Sequence, residues 1–223
     1  MKVELLNIEI EKFHMIFKNL IRIGKDLDAE RFRAQLLSQG FVQEERVIPT
    51  PTGPLKEYLL REPKKLRDLI VVSVKGFVVD AWDLDSGIDL VGLAYDVYET
   101  ILGDLIKHTI VDIIGNYTAT VFIGKDPEKI LSKCVTKDSV IKLRKSLNRS
   151  DVKPFMVGFC WGIPRPPHEW IIANITPVME PTGLGRRGRI QLSIRYQGVD
   201  PEKGISFLRN INELIKKIVN GII

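Results

Sequence analysis

The tetrapeptide Ile-Gly-Lys-Asp occurs twice in this chain, as Ile23-Gly24-Lys25-Asp26 and, one hundred residues later, as Ile123-Gly124-Lys125-Asp126. Its surroundings recur with it. Ahead of the two copies, Ile10, Phe13, Phe17 and Ile21 correspond to Ile110, Ile113, Tyr117 and Val121, apolar positions of two long extended stretches. Helical runs follow. The first, "KDLDAERFRAQLLSQG", has Asp26 or Asp28 to cap it and Gly40 to stop it; the second, "KDPEKILSKCV", has Pro127 in its first turn. Two later blocks also match, residues 70–75 with 190–195, and Asp83, Gly87 and Ile88 with Asp200, Gly204 and Ile205. Within each tetrapeptide, glycine turns the chain where strand gives way to helix, and the lysine belongs to a solvated turn.

After its first helix, the first half reads as three strands: "FVQEERVIP", "LKEYLLREP" and "LIVVSVKGFVVDAW". The first two are joined by the hairpin signal "TPTG". A helix then carries the stripe Ile88, Val91, Tyr95, Tyr98, Ile101, Leu102 and Leu105. The second half inserts another helical run, "KDSVIKLRKSL", before the strands "FMVGFCWGI", "EWIIANITPVM" and "RIQLSIRYQG". One long helix closes the chain, striped by Ile205, Leu208, Ile211, Leu214, Ile215, Ile218 and Val219. The pattern predicts an α+β chain built from an internally duplicated strand–helix–three strands–helix unit. Residues 1–107 and 108–223 are its two halves, forming one pseudo-twofold domain with helices on a mostly antiparallel sheet. At the level of topology this arrangement resembles pseudo-twofold folds such as the TATA-binding-protein saddle and the sliding-clamp subunit. No motif of either family falls on residues of this chain, so the resemblance implies a fold and no activity.

Hydrophobic residues make up 44% of the chain and charged ones 27%, which suffices to bury a core and excludes a disordered segment of this length. No run of about eighteen apolar residues is present, so no membrane partner is expected. The opening "MKVELLNIEIEKF" carries acidic residues through its apolar stretch; it does not read as a signal peptide, and the expected location is the cytoplasm. Abundant lysine, arginine and isoleucine with little glutamine suit a thermophilic source. Cys134 and Cys160 lie in apolar stretches and read as buried thiols. The net charge of +5 is unevenly spread. Residues 1–107 hold 15 Lys+Arg against 18 Asp+Glu, and residues 108–223 hold 18 against 10. A basic second half suits a polyanion, an acidic protein, or the acidic half of another copy.

Three stretches could carry function. The basic run Lys133, Lys137, Lys142, Arg144, Lys145, Arg149 and Lys153 alternates with Val140, Ile141, Leu143 and Leu147, the pattern of an amphipathic helix with a cationic face. "EPTGLGRRGRIQ" concentrates Arg186, Arg187 and Arg189 among glycines, a composition that suits phosphate. Its formal G-x-G-x-x-G lacks the strand before it and the helix after it that dinucleotide binding requires. "GFCWGIPRPPHEW" brings Trp161, Arg165, His168 and Trp170 into one proline-stiffened connection. There His168 could serve as acid–base and Arg165 as anion anchor, although adjacent His168 and Glu169 point to opposite faces of a strand. A rigid connection anchored by aromatic residues is the simpler reading.

Metal chemistry finds no ligand set: His14, His108 and His168 share no spacing, and there is no C-x-x-C. Asp80, Asp83, Asp85 and Asp89 lie where carboxylates complement a helix N-terminus. No nucleophile or cofactor signature is present, so no catalytic residue, metal or cofactor is expected. The expected function is a binding or scaffold protein contacting nucleic acid or another polyanion. Lys142, Arg144, Lys145, Arg186, Arg187 and Arg189 would supply the phosphate contacts, and Trp161 and Trp170 the stacking surfaces. An enzyme or small-ligand protein with its site near residues 158–170, and a structural homo-oligomer, are the alternatives.

Overall fold

A computed structural model describes residues 8–21, 27–103, 109–124, 126–151, 154–162, 169–178 and 188–222. At its centre, β1 (Glu9–Ile21) and β6 (Ile110–Phe122) run antiparallel over almost their whole length. From β1 the chain passes through α1 (Ala29–Ser38) to the far edge of the sheet. It returns strand by strand through β2 (Val42–Thr50), β3 (Gly53–Arg61), β4 (Leu69–Ser73) and β5 (Gly76–Ala81), the last pairing with β1. After α2 (Leu84–Leu102) and β6, two helices follow, α3 (Pro127–Lys133) and α4 (Lys137–Leu147). The chain comes back as β7 (Val157–Gly162), β8 (Trp170–Pro177) and β9 (Arg189–Gly198), with β9 beside β6. The order β2-β3-β4-β5-β1-β6-β9-β8-β7 makes one nine-stranded antiparallel sheet, closed by α5 (Pro201–Arg209) and α6 (Ile211–Ile222).

Strand alternation assigns the two faces. Met15, Phe17 and Ile21 of β1, Ile113, Tyr117, Ala119 and Val121 of β6, and Ile190, Leu192, Ile194 and Tyr196 of β9 are buried beneath the helices. Their neighbours His14, Ile16, Lys18, Thr118, Thr120, Ser193 and Arg195 point the other way, onto an open face. The helices pack unequally. α1 lies on β3, β4 and α2, while α2 covers β5 and β1, and α5 covers β9 and β6. In the second half α3 touches β8 and α6. α2 and α5 start alike: Asp83 accepts from Ser86 N, and Asp200 accepts from Glu202 N and Lys203 N. Each then presses a glycine onto the central strands. A Cβ on Gly87 would stand 2.4 Å from Met15 Sδ, and one on Gly204 would stand 3.1 Å from Ile113 Cγ2. Among the described residues no helix is long and apolar enough to cross a membrane.

Several sequence expectations are corrected. The run "LIVVSVKGFVVDAW" is two strands, β4 and β5, because Gly76 at φ +122° turns the chain against Asn19, where a Cβ would meet the Asn19 carbonyl oxygen. The first half is therefore strand–helix–four strands–helix, and β5, not β4, occupies beside β1 the place that β9 occupies beside β6. The single closing helix breaks at Asn210, whose side-chain amide and backbone N–H both donate to Ser206 O. Cys134 and Cys160 are exposed free thiols rather than buried ones, because α3 ends at Cys134 and Cys160 lies on an edge strand. Asp126 of the second Ile-Gly-Lys-Asp caps α3, whereas α1 is capped by Asp28. The first tetrapeptide and Leu105 lie outside the described residues.

Candidate functional site

The helix predicted from "KDSVIKLRKSL" forms as α4 and buries none of its side chains. Thr136 precedes it without a capping bond to its backbone, and Asn148 ends it in the left-handed conformation at φ 50°. Lys137, Lys142, Arg144 and Lys145 are exposed, and among the described residues Lys142 and Lys145 have no ion-pair partner. Ile141, Leu143 and Leu147 are exposed as well, as are Phe155 and Met156 just before β7 and Phe159 and Trp161 within it. These seven residues are the densest run of exposed large apolar side chains in the described chain. An exposed cationic helix can contact phosphates, and exposed aromatic rings can stack planar groups.

The other predicted site residues are dispersed. Phe159 and Trp161 stand opposite Ala173 and Ile171, whose side chains are buried, so both aromatics point to the helix-bearing face. Trp170 stands opposite Gln197 on the open face, with the Arg195 guanidinium 5.6 Å from its ring centre. The two tryptophans expected to offer stacking surfaces are thus on opposite faces of the sheet. Arg189 is on the open face too, at the start of β9, and holds Glu11 through two bonds of 2.6 Å while lying over the Phe122 ring. Arg165, His168, Arg186 and Arg187 lie outside the described residues.

A second constellation was not read from the sequence. A β-bulge at Glu11 shifts the register of β1 against β6, and Lys12 and His14 then face the open side opposite Thr120 and Thr118. His14 Nε2 lies 2.9 Å from Asp80 Oδ1, and the imidazole packs on the Trp82 indole with ring centres 4.2 Å apart. Asp68, buried, accepts from Trp82 N at 2.9 Å and from Ser86 Oγ at 2.6 Å, tying the 64–68 turn to the start of α2. Arg61 Nη1 donates to Leu66 O and steadies the same turn. The result is a cleft of about 530 Å³ lined by residues that include Lys12, His14, Arg67, Trp82, Thr118 and Thr120. A second cleft of about 450 Å³, lined in part by Lys64, Lys65 and Leu66, shares Arg67, Trp82 and Asp83 with it.

Burial holds the phenols of Tyr95, Tyr117 and Tyr196 above their ordinary value of 10, so they stay neutral in the core. Among the described residues no three His, Cys, Asp or Glu side chains gather as a metal site. The chain matches no protein-family model and no curated protein sequence.

Proposed function

We propose that this chain is a non-enzymatic binding or scaffold protein whose basic second half contacts nucleic acid or a similar polyanion. The observation that carries the reading is α4, a helix that contributes nothing to the core yet presents Lys142 and Lys145 without ion-pair partners. Arg144 lies on the same helix, and Phe159 and Trp161 of the edge strand β7 offer ring faces. Arg186 and Arg187 extend the cationic set in sequence, whereas Arg189 already holds Glu11. We infer further that the two halves arose by duplication into a pseudo-twofold pair. The adjacency of β1 and β6, the matching places of β5 and β9, and the Asp-capped, glycine-bearing starts of α2 and α5 support it.

Fluorescence anisotropy with a labelled single-stranded oligonucleotide tests the polyanion reading. Tight binding in about 50 mM salt that weakens steeply by about 200 mM is expected; no affinity at low salt would end the proposal. The exposed apolar run from Ile141 to Trp161 also favours a second reading, self-association through this end of the sheet. Light scattering after gel filtration at low and high salt separates the two. A monomer at both supports the polyanion reading, and a salt-resistant dimer supports self-association.

A further inference from the structure

The paired clefts at the open face are lined by no residue of α4 or β7. Their linings carry Lys12, Lys64, Lys65 and Arg67 against Glu11, Asp68 and Asp83. All three carboxylates are already engaged within the protein. Arg189 holds Glu11 bidentately, Asp68 accepts from Trp82 N and Ser86 Oγ, and Asp83 accepts from Ser86 N. The one carboxylate behind the imidazole, Asp80, is hydrogen-bonded to His14. The donors are not so engaged: Lys12, Lys64 and Arg67 have no ion-pair partner among the described residues, and the Thr118 and Thr120 hydroxyls have no hydrogen-bond partner there. What the site leaves unspent is therefore cationic and hydrogen-bond-donating, the complement of an anion.

The apolar part of the site is equally specific. Trp82 is 54% exposed and Leu66 is 67% exposed, and both line the second cleft. One side of the indole is taken by His14, which Asp80 holds in place. A planar ring can lie along what remains of Trp82 and against Leu66, gaining the stacking and burial these two lack. Each open cleft has a volume in the range of small-ligand sites, and their shared residues make them contiguous around Trp82.

We propose that these clefts bind a small planar anion of the nucleoside monophosphate class. The phosphate sits among Lys12, Arg67, Thr118 and Thr120, and the base lies on Trp82 and Leu66. The site stands apart from the α4 surface and does not depend on it.

Isothermal titration calorimetry on the full chain, with AMP as probe and adenosine and inorganic phosphate as its two parts, tests this directly. AMP is expected to bind saturably and about tenfold more tightly than either part, because only AMP engages both the cations and the indole. Arg67→Ala and Trp82→Ala should each weaken AMP about tenfold, and Thr120→Val, which alters a single hydroxyl, should weaken it measurably. Lys142→Ala/Lys145→Ala should leave AMP binding unchanged, so failure here and failure of the polyanion reading are distinguishable. Absence of saturable heat with AMP would overturn the proposal. So would equal affinity for AMP and adenosine, or AMP binding untouched in both Arg67→Ala and Thr120→Val.

Discussion

The two ends of the sheet start from similar material and finish differently. On β3, one strand in from its edge, Tyr58 and Leu60 face the helices and are 2% and 0% exposed; on β7, itself the opposite edge strand, Phe159 and Trp161 face the same way and are 40% and 38% exposed. α1 makes the difference. It packs on β3 and β4 with Phe32 and Leu36 buried, and Phe32 stands against Phe77 with ring centres 6.0 Å apart. At the other end α3 packs on β8, and α4 buries none of its side chains. Burying a large apolar side chain contributes about 1.5–3 kcal/mol. The covered end thus stabilises the fold, while the uncovered end keeps comparable aromatic surface available to something outside it.

Aromatic truncations at the two ends, one on α1 and one on β7, should expose this contrast. The largest effect is expected at the covered end: Phe32→Ala should cost about 3–5 kcal/mol in urea denaturation, whereas Phe159→Ala should cost under about 1 kcal/mol. Equal losses would mean that β7 is packed as β3 is. On the functional side, Lys142→Ala/Lys145→Ala should leave denaturation unchanged. It should reduce the slope of log affinity against log salt by about 0.7–0.9 per lysine for a single- or double-stranded probe. An unchanged slope would remove α4 from the interface.

Helix caps give a smaller contrast. Asp28 accepts from Arg31 N at 3.0 Å, so Asp28→Ala should cost about 1 kcal/mol. Thr136, which makes no capping bond to the backbone, should tolerate alanine within about 0.5 kcal/mol. Acid titration gives the smallest. A hydrogen bond from Tyr58, followed by one from Arg33, lowers the Glu30 carboxyl below its ordinary 4.5. Because the folded state favours the ionised form, the contribution of Glu30 is complete above about pH 4.5 and fades as pH falls through the lowered value. Glu30→Gln should therefore lower stability slightly at neutral pH, with the difference from the unsubstituted protein closing as pH falls through the lowered value; a difference that persisted unchanged in acid would contradict the assignment.

Local chemistry made most of the elements legible. Asp83, Asp126 and Asp200 all cap helices, Pro127 opens α3, and the "TPTG" turn joins β2 to β3 with Thr50 paired to Gly53. The misread places are those where a local pattern is continuous but the backbone is not. Val74 and Lys75 prolong an apolar run that Gly76 breaks, and the stripe from Ile205 to Val219 runs across Asn210 without interruption. The basic helix was legible from its own spacing, but its lack of a covering partner was not, since burial depends on which strand α3 and α4 reach. The open-face cleft could not be read at all. His14 and Asp80 are 66 residues apart, and Thr118 and Arg67 join them only through the β1–β6 pairing and the turn fixed by Asp68. The bulge at Glu11, which aims Lys12 and His14 outward, leaves no mark in composition.

Amide hydrogen exchange of the full chain, with and without a single-stranded oligonucleotide at low salt, tests the contrast between the two ends most directly. Slow exchange in α1 and β3 regardless of ligand, with new protection centred on α4 and β7, is the predicted result. Ligand-induced protection that spared residues 137–147 and 157–162, or α4 already protected as strongly as α1 in the free protein, would contradict it.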